Sequence, residues 1–343
     1  MSLEPIPGWP FERAEEVALA LEELLAVHGI SINAGSALEG AILSAMQIAE
    51  RKKRGFTVDN SSDIRPDYRA MAGVHELSCL ILAVKDHRSF PQLIPHLRLL
   101  NKGAALQNTK SRGNDDATNK LFELLVACLA MPFADDVQLD DPESSAGNNP
   151  DVLALIAGRR WGFACKALHS THPEGFLDHL RKGIDQIERS AAEVGVVVFS
   201  LKNVLPHDDL WPLRPDASGI GLFPAAWPTA ERAFGTMQYS SAEIGRRLNQ
   251  AVAGLGAELA NEFSGKKSIP TFLLWGSSVT GVLLNGQPVP TILRMMTAVT
   301  ANGPPKLADQ AVLESLNWAA FHDSPLRGPK PALTPAKATG GAV

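Results

Sequence analysis

The segment Asn148–Leu168, NNPDVLALIAGRRWGFACKAL, contains two short apolar runs, Asp151–Ala157 and Arg160–Leu168, joined by Gly158–Arg159. Two such runs with so short a connection can bury a shared face only as a hairpin, so the segment predicts neighbouring antiparallel strands. Asp151 follows a proline and opens the first strand, and Lys166 stands near the end of the second. On adjacent strands an acid and an amine placed in this way point from one sheet face into one cleft.

Working outward, a polar linker, Gln107–Asp116, precedes a predicted helix at Ala117–Met131 and a short β-rich run at Asp136–Leu139. After the hairpin, Phe176, Leu180, Ile184, Ile187 and Ala191 recur every three or four residues, which predicts an amphipathic helix over Pro173–Ala192. A strand at Val194–Val204 follows. Farther on come a helix at Ser240–Phe263, a strand at Thr271–Val279 and helical pieces at Val289–Ala301 and Leu307–Ala320. Toward the amino terminus, Val17, Leu21, Leu24 and Leu25 mark a helix within Glu12–His28. A second helix, Ser36–Arg54, ends in the basic run Arg51–Arg54 before Gly55, where cations and a glycine cap favour a helix C-terminus. Asp59–Asp67 is expected as loop, and Tyr68–Lys85 and Phe90–Leu100 as helices; this region shows no catalytic constellation. The segment from Ser324 has few large apolar groups to offset its ordering entropy and is expected to be disordered. The expected architecture is α+β: a helical region at 1–105, a mixed sheet flanked by helices at 106–323, and a tail at 324–343.

With 343 residues, 45% hydrophobic, the chain can build an ordinary core, and 32 basic against 37 acidic side chains exclude a histone-like polybasic coat. The longest apolar stretches, Leu124–Ala134 and Thr271–Leu284, fall short of the roughly 18 unbroken apolar residues of a membrane span. Acidic residues and prolines before any apolar run are the wrong order for a secretory signal, so a cytoplasmic protein is expected. Cys79, Cys128 and Cys165 are widely spaced, without a Cys-x-x-Cys pair, and are expected as reduced thiols.

Hydrolysis of a phosphodiester needs carboxylates and carbonyls to hold a divalent cation beside the phosphate, and an amine to orient or deprotonate water. The pattern of Asp151 and Lys166 resembles the PD-(D/E)xK nuclease superfamily, whose core is restriction-endonuclease-like. The resemblance runs from about Asn114 to Asn203. It takes in Glu123 in NKLFELLVACL as the acid on the preceding helix, Pro150–Asp151, Ala164-Cys165-Lys166 at the strand end, and Gln186 in KGIDQIERS. It implies an endonuclease dependent on Mg²⁺ (or Mn²⁺), acting on DNA more than RNA. Asp151, Glu123 and the Cys165 carbonyl would hold the metal, Lys166 would position water, and Gln186 would bind backbone phosphate. Arg159, Arg160, Arg181, Lys182 and Arg189 could form a groove that attracts phosphates. A homo-oligomer or a partner protein is also compatible with the sequence.

Where the family pattern has Asp or Glu, two residues before the lysine, this chain has Ala164. Three accounts stand open. An acid has migrated in sequence, with Glu174, Asp185 and Glu188 as candidates; the protein is a catalytically silent relative that binds nucleic acid or a partner protein; or the alanine replaces a native glutamate. Each chosen residue also has a plain structural alternative: Lys166 snorkelling to the sheet edge, Glu123 on an exposed helix face, Asp151 ending a turn, and Gln186 in solvent. A rival metal centre would use His169, His172 and His179 with His207, Asp208 and Asp209. Arg51–Arg54 admits a nucleic-acid role or that of a solvated helix end.

Overall fold

The computed structural model of the chain describes residues 13–54, 63–103, 105–111, 116–143, 149–215, 222–253, 256–284, 287–301, 303, 305–321 and 333. Among the described residues, five helices precede the first strand: α1 (Ala14–Val27), α2 (Ala37–Lys53), α3 (Arg65–Leu82), α4 (Ile94–Arg98) and α5 (Asp116–Ala130). Helix α1 buries Ala14, Ala18, Leu21 and Leu25, spaced three or four residues apart, and packs on α3. The predicted loop at Asp59–Asp67 lies partly outside the described residues, and its end is already helical because Pro66 is pre-set for the first turn of α3. Phe90–Leu100 is not one helix. Pro91 and Pro95 each lack a backbone donor, and the segment forms two 3₁₀ turns around the five-residue α4. At the end of α2, Lys53 pairs with Glu15 and Arg54 with Glu50, both cations exposed, as a solvated helix end would have it.

The remaining elements are β1 (Ala134–Leu139), β2 (Val152–Ile156), β3 (Arg159–Ala167), α6 (Pro173–Arg189), β4 (Val194–Ser200), α7 (His207–Leu210), β5 (Leu213–Pro215), β6 (Leu222–Pro224) and β7 (Ala226–Trp227). They continue with α8 (Ala230–Ala253), α9 (Gly256–Phe263), β8 (Ser268–Leu284), β9 (Gln287–Thr300) and α10 (Leu307–Ala320). The main sheet has the order β1-β2-β3-β4-β8-β7, with β9 paired to β8, and β5 and β6 form a separate ribbon. β1, β2 and β3 are antiparallel neighbours, whereas β3–β4 and β4–β8 are parallel, so the sheet is mixed. The fold is α+β, with a helical N-terminal region and helices on the sheet, as the sequence predicts.

The β2–β3 hairpin forms with Val152 opposite Phe163 and Ile156 opposite Arg159. Its two turn residues are Ala157 and Gly158, one position earlier than expected, at φ 50° and 74°. Positive φ at both central residues matches the right-handed twist of the flanking strands.

Alternate residues of the strands feed two apolar layers. Phe163, Cys165, Val196, Val198, Leu273 and Trp275 belong to the layer shared with α1–α5 and α10. Ala164, Val197, Phe199, Phe272 and Leu274 belong to the layer under α6, α8 and α9.

Val289–Ala301, expected as helical, is strand β9, paired with β8 in unbroken register from Thr271↔Thr300 to Leu284↔Gln287. The expected single helix Ser240–Phe263 is two, α8 starting ten residues earlier and α9 after it. The tail from Ser324 lies outside the described residues except for Leu333, which is partly buried against the core.

Candidate active site

Helix α5 lies between the N-terminal helices and the sheet and is buried nearly all round, with Leu121, Phe122, Leu124 and Leu125 all inaccessible. Glu123 therefore cannot lie on a solvent face, and a carboxylate in such surroundings needs partners. It has two. Lys120, one turn earlier, places Nζ 3.0 Å from Oε1, and His96 of α4 places Nε2 3.2 Å from Oε2. The sequence reading missed both residues, and His96 comes from the region in which it found nothing catalytic.

Asp151 precedes β2 beside the end of β3, and its Oδ2 accepts the Cys165 N–H at 2.6 Å. Lys166 Nζ lies 3.4 Å from that oxygen, 3.0 Å from the Cys165 carbonyl oxygen and 2.6 Å from Gln186 Oε1 of α6. The four predicted side chains and the Cys165 carbonyl are thus brought together from α5, β2, β3 and α6. Side-chain exposure is 4% for Glu123 and 7% for Asp151, so Glu123 is not on an exposed helix face, against 18% for Lys120 and 14% for Lys166, whose side chains are partly exposed.

Burial pushes the Glu123 carboxyl up to about 7 against the pull of Lys120, Lys166 and a hydrogen bond with Asp151. Burial and the neighbouring Glu123 charge raise Asp151 to about 6, opposed by Lys166, the Cys165 N–H and Lys120. His96 is pushed down to about 4 by burial and by Lys120, so it is a neutral imidazole, and its Nδ1 has no hydrogen-bond partner among the described residues. The Cys165 thiol is pushed well up, by burial first and then by Asp151 and Glu123, which removes it as a nucleophile.

Ala164 settles against α6. It is fully buried, and a Cβ added to Gly183 would come within 3.3 Å of its own Cβ and 2.9 Å of both Val197 methyls. The helix backbone thus crosses the sheet where the family pattern has a carboxylate. None of the candidate migrated acids replaces it: Glu174 and Asp185 are exposed, and Glu188 accepts the Lys267 N–H elsewhere.

The predicted basic groove is not assembled either. Arg159 and Arg160 begin β3, at the opposite end from Lys166, and Arg159 pairs with Asp309. Arg181 pairs with Glu262 and Lys182 with Asp178.

The oxygens of Glu123, Asp151 and the Cys165 carbonyl are hard donors, and Mg²⁺ commonly uses only one or two protein carboxylates while keeping waters, so this set fits one such ion. Among the described residues no group of three or more His, Cys, Asp or Glu side chains is arranged to hold a metal. The rival histidine centre is accordingly not formed. His207 is engaged by Ser278 and the Lys202 carbonyl, and His169 lies beside Asn203. A cavity of about 530 Å³, lined in part by Ser241, Arg246, Leu274 and Met295, shares no residue with the centre. No family model, curated protein or solved structure matches the chain. No helix of the described residues is long and apolar enough to cross a membrane.

Proposed function

We propose that the chain is a cytoplasmic Mg²⁺- or Mn²⁺-dependent phosphodiesterase acting on nucleic acid, DNA ahead of RNA. One observation carries this reading: Glu123, Asp151, the Cys165 carbonyl, Lys166 and Gln186, spread over more than sixty residues of sequence, converge in one buried polar centre inside an apolar core. Such a cluster is costly to bury and is retained where its chemistry is used. Asp151, Glu123 and the Cys165 carbonyl would hold the ion, which when bound supplies Lewis-acid stabilisation of charge on the phosphate. Lys166 would orient the attacking water, and the Gln186 amide would donate to a phosphate oxygen. The preference for DNA rests on the resemblance alone.

A specific observation favours a second reading, a catalytically silent protein that binds nucleic acid or a partner. The packing of Ala164 on α6 leaves no room for a carboxylate at that strand position. Incubation of supercoiled plasmid, single-stranded DNA and RNA with Mg²⁺ or Mn²⁺ separates the two. Cleavage by the parent that is lost in both Asp151→Asn and Lys166→Ala supports hydrolysis. No cleavage by the parent, with nucleic-acid binding equal in parent and Asp151→Asn, selects the silent reading.

A further inference from the structure

The centre pairs its carboxylates with ammonium groups, which a metal site does not ordinarily do. Two buried carboxylates, Glu123 and Asp151, face Lys166 and Lys120, and the Asp140 charge just past β1 also acts on Lys120. The positions are as telling as the pairing. Lys166 Nζ is surrounded by three oxygens, Asp151 Oδ2, the Cys165 carbonyl and Gln186 Oε1, at 3.4, 3.0 and 2.6 Å. Two of these are the donors that would hold the ion. Lys120 Nζ lies 3.0 Å from Glu123 Oε1 and 3.2 Å from Oε2, so both oxygens of the remaining metal-holding carboxylate face an ammonium. Where the family pattern has a further carboxylate, Ala164 is packed against α6.

Taking the proposed centre as the cation-holding site, we infer that Lys166 and Lys120 are its resident counter-cations, and that a divalent ion enters only in exchange for their ammonium groups. Buried carboxylates are not left uncompensated, and an ammonium on a flexible stem is a compact charge able to vacate a position. Both lysine side chains are partly exposed while the carboxylates are buried, so the ammonium groups have somewhere to go. The consequence is a gate on metal occupancy built from Lys120, which stands outside the sequence motif, together with the motif lysine.

The test is Mn²⁺ binding, measured as loss of the free-ion electron paramagnetic resonance signal, on the full chain and on Lys166→Met, Lys120→Met, each combined with Asp151→Asn, and Lys182→Met. Lys182 is an exposed α6 lysine paired with Asp178 and serves as a control for loss of one positive charge. Removing an ammonium at this range is expected to lower the Mn²⁺ dissociation constant about tenfold or more. Mn²⁺ should raise the melting temperature of the two lysine variants more than that of the parent, Asp151→Asn should cancel the gain, and Lys182→Met should bind as the parent does. If Lys166→Met fails to fold, Lys120→Met carries the test. Equal or weaker binding by the lysine variants, including no binding by any protein, overturns the inference, as does an equal gain in Lys182→Met. Plasmid cleavage tests the nuclease reading separately: a parent that never cuts, with lysine variants that gain Mn²⁺, defeats that reading and upholds the exchange. A parent that cuts, with no gain in the variants, defeats the exchange alone.

Discussion

Replacing Glu123 by Gln should make the protein more stable at alkaline pH, although it removes a charged partner of Lys120. The carboxyl rises from its ordinary 4.5 to about 7 in the fold. At about 1.4 kcal/mol for each tenfold change in proton affinity, ionising it in the fold costs about 3 kcal/mol relative to the unfolded chain. The folded protein holds this proton over a range in which the unfolded chain has released it. Stability from this group is therefore complete below pH 4.5 and is lost as pH rises through 7. Asp151, raised from 3.8 to about 6, acts in the same direction.

Two buried histidines oppose this. His96 and His207 are both pushed down to about 4, so each costs stability as pH falls below its ordinary 6.5. The parent's own pH profile is a sum of opposite slopes, and the informative quantity is the difference between variant and parent. Urea unfolding at pH 5 and pH 8, without divalent ions, should give Glu123→Gln within about 1 kcal/mol of the parent at pH 5 and about 2–3 kcal/mol above it at pH 8. A difference that does not change between the two pH values would refute the reasoning. It would mean that Lys120 and His96 solvate the carboxylate as well as water does.

Other substitutions probe the surroundings of the centre. Ala164→Glu, which places the acid of the PD-(D/E)xK pattern in the sequence, should not create activity and should cost about 3 kcal/mol or more, because it forces a charge between β3 and the α6 backbone; unchanged urea midpoints together with new Mg²⁺-dependent cleavage would count against this. Gly183→Ala, the same contact from the helix side, should cost about 1–3 kcal/mol by urea unfolding, and midpoints equal to the parent's would count against the packing argument. Arg159→Ala leaves the buried Asp309 carboxylate unpaired at the far end of β3, and calorimetry should show a loss of about 3 kcal/mol with no change in metal affinity.

The hairpin was legible because its signal is local. Apolar runs of strand length, a connection of two residues and a glycine able to take positive φ all lie within Asn148–Leu168. Glu123, Asp151, Lys166 and Gln186 were legible as an ordered set, and packing then brought them together. His96 and Lys120 were not, for different reasons. Lys120 lies one helical turn before Glu123 and on its side of α5, a pairing that spacing alone could have suggested. His96 is 27 residues from its partner in sequence, and only the burial of α4 against α5 makes it a neighbour. Strand β9 was missed because apolar residues in VPTILRMMTAV are dense enough to fit a helical stripe. The better signal was the Asn285–Gly286 dipeptide between two β-branched runs, a strong hairpin marker.

Ala164 shows how a motif can mislead when it is treated as a list of side chains. In sequence it is a missing ligand, and adding the ligand looks like a repair. In the fold it is half of a contact whose other half is Gly183, and Val197 of the neighbouring strand closes the space around both. Small residues facing each other let a helix backbone approach a sheet more closely than larger ones allow. That approach lets Gln186, three residues past Gly183, set its amide oxygen on Lys166. Restoring a glutamate would push α6 away and withdraw Gln186 from the lysine. The alanine at position 164 and the hold of helix and carbonyl on the lysine therefore follow from one packing arrangement, and variants at Lys120 or Lys166, whose side chains are partly exposed, change the centre's charge without disturbing it.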